Sequence, residues 1–333
     1  MKLKPASDQC VVITGATSGI GLATALEYAA RGARVALVAR DDGELAAVSD
    51  RVRAAGAPEV LSVAADVADR SGVEFVAQQA VGRFGAIDTW INDAGVSLYG
   101  ELRDAPIEDA RQLFETNYWG LVHGSLVAAD HFRLREGDTA GCIINIGSRA
   151  DRAAPLEGHH AASKAAVRAF TDTLRAELAR EGAPAVLTLV RPTSVNTPLT
   201  EHAGNYLRAG APTRPAPVYE PEVVARAVVA VSERPTREIV VGVGGAHSLS
   251  AQLLSGITER FDVSLFEGRP RGSDTPRGPG AIQEPQADGN RIHGDAAMAL
   301  KSSLSTWTRL HPGATLGAAL AAGISAAAAA RMR

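Results

Sequence analysis

The run Thr14-Gly15-Ala16-Thr17-Ser18-Gly19-Ile20-Gly21 carries glycine at a Gly-x-x-x-Gly-x-Gly spacing, between an apolar stretch and a segment with helical periodicity. Glycines at such a turn let backbone approach a pyrophosphate, and the helix that follows offers free N–H groups and a positive dipole end. A second phosphate ligand is placed by Val38-Ala39-Arg40-Asp41. A guanidinium there accommodates a 2′-phosphate, and the carboxylate that would bond both ribose hydroxyls is missing at Ala39. NADP(H) is therefore predicted over NAD(H), with Asp41 or Asp42 left to cap the next helix. Further along, Ser148, His160 and Lys164 carry side chains of types that can hold or move a proton. An imidazole titrates near pH 6.5. Lysine occurs at positions 2, 4, 164 and 301 alone, so its use at 164 points to a need for a compact ammonium with three donors.

These residues need a scaffold, and the hydrophobic pattern describes one. Apolar, β-branched runs at Cys10–Thr14, Arg34–Ala39, Val60–Ala64, Ile87–Ile91, Cys142–Ile146, Val186–Val190 and Glu238–Val243 read as buried parallel strands. Helical spacing fills the intervals at Ile20–Arg31, Glu44–Ala54, Asp69–Phe84, Ile107–Leu134, His160–Arg180 and Pro221–Ser232. The alternation predicts an α/β Rossmann-type fold, a doubly wound parallel sheet of seven strands in a single domain over residues 1–245. A helical extension at 246–267, a flexible Gly/Pro-rich linker at 268–290 and a C-terminal segment at 291–333 with an alanine-rich tail are expected after it.

Bulk properties remove several classes of function. With 46% hydrophobic residues in 333 the chain has ample material for a core, which rules out disorder of the whole. Its 34 basic against 37 acidic residues, a formal charge of −3, supply no excess to neutralise a nucleic-acid backbone. The two cysteines, Cys10 and Cys142, lie in apolar runs and suit neither a disulfide framework nor a metal site. The polar N-terminus, Met1 to Gln9, lacks the apolar stretch of a secretory signal, so a cytoplasmic location is expected. The tail from Pro312 to Ala330 is long enough for a short membrane span, but its few anchors, Leu316, Leu320 and Ile324, predict marginal contact, with a packed helix or a loose tail as alternatives.

Taken in order, these motifs resemble the short-chain dehydrogenase/reductase family from about Gln9 to Val243. The resemblance assigns cofactor contacts to the glycine turn, through Gly15, Thr17, Ser18, Gly19, Ile20 and Gly21, and to Asp66 and Val67 at the adenine. Asn92-Asp93-Ala94-Gly95 resembles the family's Asn-Asn-Ala-Gly, with Asp93 a departure, and implies that Asn92, Ala94 and Gly95 serve the cofactor. Pro192, Thr193, Val195 and Thr197 resemble the loop at the nicotinamide end, and Lys164 both binds the ribose and serves catalysis. Asn117 matches the residue that holds a water in the family's proton relay, and Ser148 the residue that holds the substrate oxygen.

The main departure is catalytic. The family places a tyrosine four residues before the lysine, and here that position is His160, with the loop after Ser148 one residue short. A neutral imidazole is both donor and acceptor, and the charge of Lys164 favours the neutral ring. The resemblance thus implies an NADP(H)-dependent oxidoreductase that interconverts a carbonyl and an alcohol on a small or medium apolar substrate. A non-catalytic NADP-binding protein on the same fold is the alternative. It also implies a homodimer or homotetramer through the helices Ile107–Leu134 and His160–Arg180. Substrate-pocket walls are expected from Val96–Gly100, Arg149–Glu157 and Leu199–Ala211.

Overall fold

The computed structural model describes residues 2–151, 154–207, 214–242, 277–285, 290–311 and 313–315. Seven strands form one parallel sheet: β1 (Cys10–Thr14), β2 (Arg34–Ala39), β3 (Val60–Ala64), β4 (Thr89–Asn92), β6 (Gly141–Ile146), β7 (Ala185–Pro192) and β9 (Glu238–Val241). Their order in the sheet is β3-β2-β1-β4-β6-β7-β9. A second, two-stranded parallel pair, β5 (Leu98–Tyr99) with β8 (Gly204–Asn205), was too short to leave a periodic signal in the sequence.

Continuous apolar runs are what a sheet covered on both faces requires. Val11, Ile13, Val35 and Leu37 pack on one face against α1 (Gly19–Ala29), α2 (Asp42–Ala54) and α7 (Pro221–Glu233). Val12, Val38 and Trp90 face the other side, against α3 (Arg70–Phe84), α5 (Gly120–Arg133) and α6 (Gly158–Glu181). The expected single helix Ile107–Leu134 is instead α4 (Ile107–Phe114), a π-helical turn Glu115–Trp119, and α5. That turn carries Asn117 at its buried centre.

Chain order reverses at β1, which has β2 on one side and β4 on the other. A crevice at the carboxyl ends of the strands is expected at such a switch point. Beside it, polar side chains lock β4 and β6 to the helices beneath. Asn92 Nδ2 donates to Ser125 Oγ at 3.0 Å and Asn145 Oδ1 at 2.8 Å, while its Oδ1 accepts from Trp90 Nε1 at 2.9 Å. Asn145 Nδ2 donates onward to Thr171 Oγ1 at 3.0 Å.

Part of the expected linker is not one. At 277–285 a 3-10 turn, Gly280–Ile282, buries Ile282 completely against Val96, Leu98 and Leu113, so one apolar anchor outweighs a composition that resembles free chain. After it, 290–303 runs along the domain to α8 (Leu304–Leu310), which packs on β9 and α7. The expected extension at 246–267, the rest of the linker, and the tail from Leu316 lie outside the described residues. Among the described residues, no helix is long and apolar enough to cross a membrane.

The polar lock gives a test of the packing. A Cβ on Gly124 would fall 2.1 Å from Asn92 Oδ1 and 2.6 Å from Trp90 Nε1. Gly124→Ala gains about 1 kcal/mol of helix propensity but overpacks a fixed network, at about 1–3 kcal/mol plus about 1 kcal/mol for each hydrogen bond displaced. A net loss of about 1–3 kcal/mol is expected, read as a lower urea midpoint with unchanged slope.

Candidate active site

The crevice is a cavity of about 710 Å³ that runs from the glycine turn to the ends of β6 and β7. Gly15 makes the close approach possible: its φ is +71°, and a Cβ would lie 2.8 Å from Ala94 Cα. Gly21 is equally constrained, since a Cβ there would meet Gly15 O at 2.1 Å. Thr17, Ser18, Gly19 and Ile20 then line the cavity at the start of α1, whose N-cap Ser18 makes no side-chain cap bond.

Of the predicted cofactor residues, Gly15, Thr17, Ser18, Gly19, Ile20, Arg40, Asp66, Val67, Ala94, Gly95, Lys164, Pro192, Thr193, Val195 and Thr197 all line this one space. Thr193 lines the cavity, but its Oγ1 is buried against Gly242 without a hydrogen-bond partner. Two others stand behind the wall: Gly21 as packing for the turn, and Asn92 in the β4–β6 lock, both its side-chain ends being used inside the protein. The flush turn, the α1 N-terminus beside it and Arg40 together fit a dinucleotide.

Ser148, His160 and Lys164 meet at the other end of the cavity. Asn117 does not reach it. Its Oδ1 accepts from Val96 N at 2.8 Å, and its Nδ2 donates to Val96 O at 2.9 Å and Ser163 Oγ at 3.2 Å. The same Val96 carbonyl lies 3.2 Å from His160 Nδ1. A carbonyl only accepts, so Nδ1 carries the proton and Nε2 holds a lone pair. Burial, with the nearby Lys164 charge, lowers the imidazole to about 4 against the pull of the Val96 bond. The ring is neutral as the sequence leads one to expect, but its donor is committed to backbone, which leaves it an acceptor only.

Lys164 keeps its proton to higher pH than His160. Burial lowers its ammonium to about 8, with Asp93 pulling the other way. One N–H is held by Ile146 O at 3.0 Å, leaving two for the cavity. Asp93, the departure from the family's second asparagine, is buried beside it, raised by desolvation to about 7 and eased by Lys164 and the Gly21 N–H. The expected walls contribute Val96, Ser97 and Tyr99, then Arg149, Pro155 and Glu157, then Leu199, Thr200 and His202. Tyr99 shares hydrogen bonds with Glu157 and Thr200, and burial raises both the phenol and the Glu157 carboxyl.

Sequence reasoning missed Arg191, which fixes the serine loop. Its Nη2 meets Asp151 Oδ1 at 2.5 Å, its Nη1 meets Glu238 Oε1 at 2.6 Å, and its Nε donates to Ser148 O at 3.2 Å. An arginine inside an otherwise apolar parallel strand was the available signal, because such a charge must be paired.

The chain matches the family model described as short chain dehydrogenase over residues 9–206. It is 36% identical over 268 residues to an uncharacterized oxidoreductase, YxnA, of Bacillus subtilis, covering 80% of this chain and 74% of that protein. With 11-beta-hydroxysteroid dehydrogenase A of Sesamum indicum it shares 38% identity over 204 residues, 60% of this chain and 56% of the relative, so the match spans just over half the length of that enzyme. Among solved structures, a short chain dehydrogenase/reductase from Burkholderia phymatum in complex with NAD superposes with a TM-score of 0.62 at 27% identity, covering 80% of this chain and 97% of that one. An alcohol dehydrogenase from Thermococcus sibiricus complexed with 5-hydroxy-NADP gives 0.60 at 25% identity, covering 69% and 94%.

Arg191→Leu leaves Asp151, with a side chain 1% exposed, without its main countercharge. Stranding a buried carboxylate costs about 3–5 kcal/mol. Denaturant unfolding at pH 7 is expected to show that loss, and Arg191→Leu paired with Asp151→Leu to recover part of it.

Proposed function

The chain belongs to the short-chain dehydrogenase/reductase family of oxidoreductases, and from that premise we propose that it is an NADP(H)-dependent enzyme interconverting a carbonyl and an alcohol on an apolar substrate. The observation that carries this reading is the single cavity lined at one end by the glycine turn and Arg40 and at the other by Ser148, His160 and Lys164. The nicotinamide, when bound, supplies or accepts the hydride. Arg40 takes the 2′-phosphate, the α1 N-terminus takes the pyrophosphate, and Thr193 lines the far end.

The proton is the remaining requirement, and Lys164 meets it. In carbonyl reduction its ammonium donates to the developing alkoxide while Ser148 holds the oxygen; in alcohol oxidation the neutral amine receives the hydroxyl proton. His160 orients through Val96 and presents only an acceptor. Asp93 balances the ammonium from the side of the glycine turn. We further propose a homodimer or homotetramer through the helices expected at Ile107–Leu134 (α4, the π-helical turn and α5) and His160–Arg180 (within α6), as the family resemblance implies. The committed donor of His160 favours a second reading, a non-catalytic NADP-binding protein, which predicts tight cofactor binding without turnover of any carbonyl.

Two measurements test the proposal. Removing a charge-assisted contact to phosphate costs about 1.5–3 kcal/mol, so Arg40→Ala is expected to cut the ratio of NADP⁺ to NAD⁺ affinity about tenfold or more. Equal affinities in the wild type would remove the NADP assignment. In the pH profile, carbonyl reduction needs the protonated lysine and is expected to fall as pH rises through about 8, while alcohol oxidation rises over the same range. An inflection on the acid side of neutrality, towards about 4, that disappears in His160→Ala would return the proton-transfer role to the imidazole.

A further inference from the structure

The two groups best suited to hold phosphate already have partners, and both partners come from the C-terminal segment. Gly19 N–H, at the first turn of α1, donates to Arg291 O at 3.0 Å. Arg40 turns both terminal nitrogens the same way, Nη2 to Ala281 O at 2.8 Å and Nη1 to Gln283 O at 3.4 Å. Arg51, on α2, holds Asn290 O at 2.7 Å. The main-chain carbonyls of Ala281, Gln283 and Arg291 thus stand where the oxygens of a dinucleotide's phosphates would be received, and Ala281 and Pro285 line the cavity itself.

The segment is also seated by contacts away from the phosphate positions. Ile282 is fully buried against Val96, Leu98 and Leu113, and Gln283 Nε2 donates to Asp109 Oδ1 at 2.7 Å. Gly280, at φ +57°, lies so close that a Cβ would come within 2.4 Å of His202 O and 2.6 Å of Ala203 O. Further along, Glu201 gathers Arg291 Nη2 and the Asp295 N–H, both at 2.8 Å, and Gly294 N–H donates to Asn196 O at 3.1 Å.

We propose that this strap is an intramolecular occupant of the dinucleotide's phosphate positions, which a nucleotide must displace to bind; the proposal rests on the dinucleotide reading of the cavity. An N–H has one hydrogen, so Gly19 cannot fully serve Arg291 O and a pyrophosphate oxygen together. Phosphate wins the exchange because its charge-assisted hydrogen bonds are about twice as strong as those to a neutral carbonyl. The strap therefore lowers the apparent affinity for any nicotinamide dinucleotide by the fraction of time it is seated.

The test uses the full-length protein with Ile282→Asp and Gly280→Val, which unseat the strap without altering a cavity-lining residue. Calorimetric titration is expected to give dissociation constants for NADP⁺ and NAD⁺ each about five- to tenfold tighter than in wild type, the seated strap being taken to occlude the site about 80–90% of the time. Unchanged or weaker binding in both variants would overturn the proposal and make the strap a roof that closes over bound cofactor. A second readout needs no variant: saturating NADP⁺ is expected to speed tryptic cleavage of the wild type at Arg277 and Arg291, and protection or no change at those bonds counts against it. Loss of NADP over NAD preference would instead show as equal constants in the wild type, leaving the strap's effect intact.

Discussion

The site depends on how closely the turn after β1 lies on the segment after β4. At Gly15 and Gly21 there is no room for a side chain: one would meet the Ala94 backbone, the other the Gly15 carbonyl. Because the turn is flush, the N-terminus of α1 opens into the cavity instead of onto side chains. The same approach brings the Gly21 N–H to Asp93, and Asp93 into the field of Lys164. The proposed phosphate site and the proposed proton site, at opposite ends of the cavity, therefore share one backbone contact.

Most of this scaffold was legible because burial on both faces leaves little choice of residue. Strands β1, β2 and β3 begin and end where their apolar runs do, and α3 starts at Arg70 because Asp69 caps it, accepting from Ser71 N at 2.9 Å. What the sequence could not convey were the positions of partners supplied by distant chain. His160 has a fixed donor only because the Val96 carbonyl comes to it from β4's side, and Arg191 is neutralised by Asp151 and Glu238 from two separate elements. The strap was misread for the same reason. Its bonds use carbonyls, which every residue has, so its composition alone resembles a linker.

The departure from tyrosine to histidine is not a simple exchange of one titrating group for another. Desolvation acts on both buried cations, His160 and Lys164, but the lysine starts four units higher and keeps Asp93 as its counterweight. Of the two, only the ammonium remains charged near neutral pH. An asparagine in place of Asp93 would have left that ammonium with less support. The two departures from the family pattern, at 93 and at 160, thus meet at Lys164, whose charge Asp93 supports and whose field keeps the imidazole neutral.

The π-helical turn at Glu115–Trp119 acts as a phase slip between two rods. Inward-facing residues Leu113, Asn117, Leu121 and Ser125 follow one another in steps of four, where a regular helix would need a shorter stride, and about one extra residue is absorbed by the widened turn. α4 and α5 are therefore not one lever, and their buried stripes belong to different clusters, Leu113 with Ile282 and Val96, Ala128 and Phe132 with the sheet. A disturbance of the strap's anchor reaches α4 directly, while α5 is keyed to β4 and β6 and has no need to turn with it. The slip lets one continuous helical run serve two masters: its first part faces the wall that receives the C-terminal segment, its second the sheet that holds the fold.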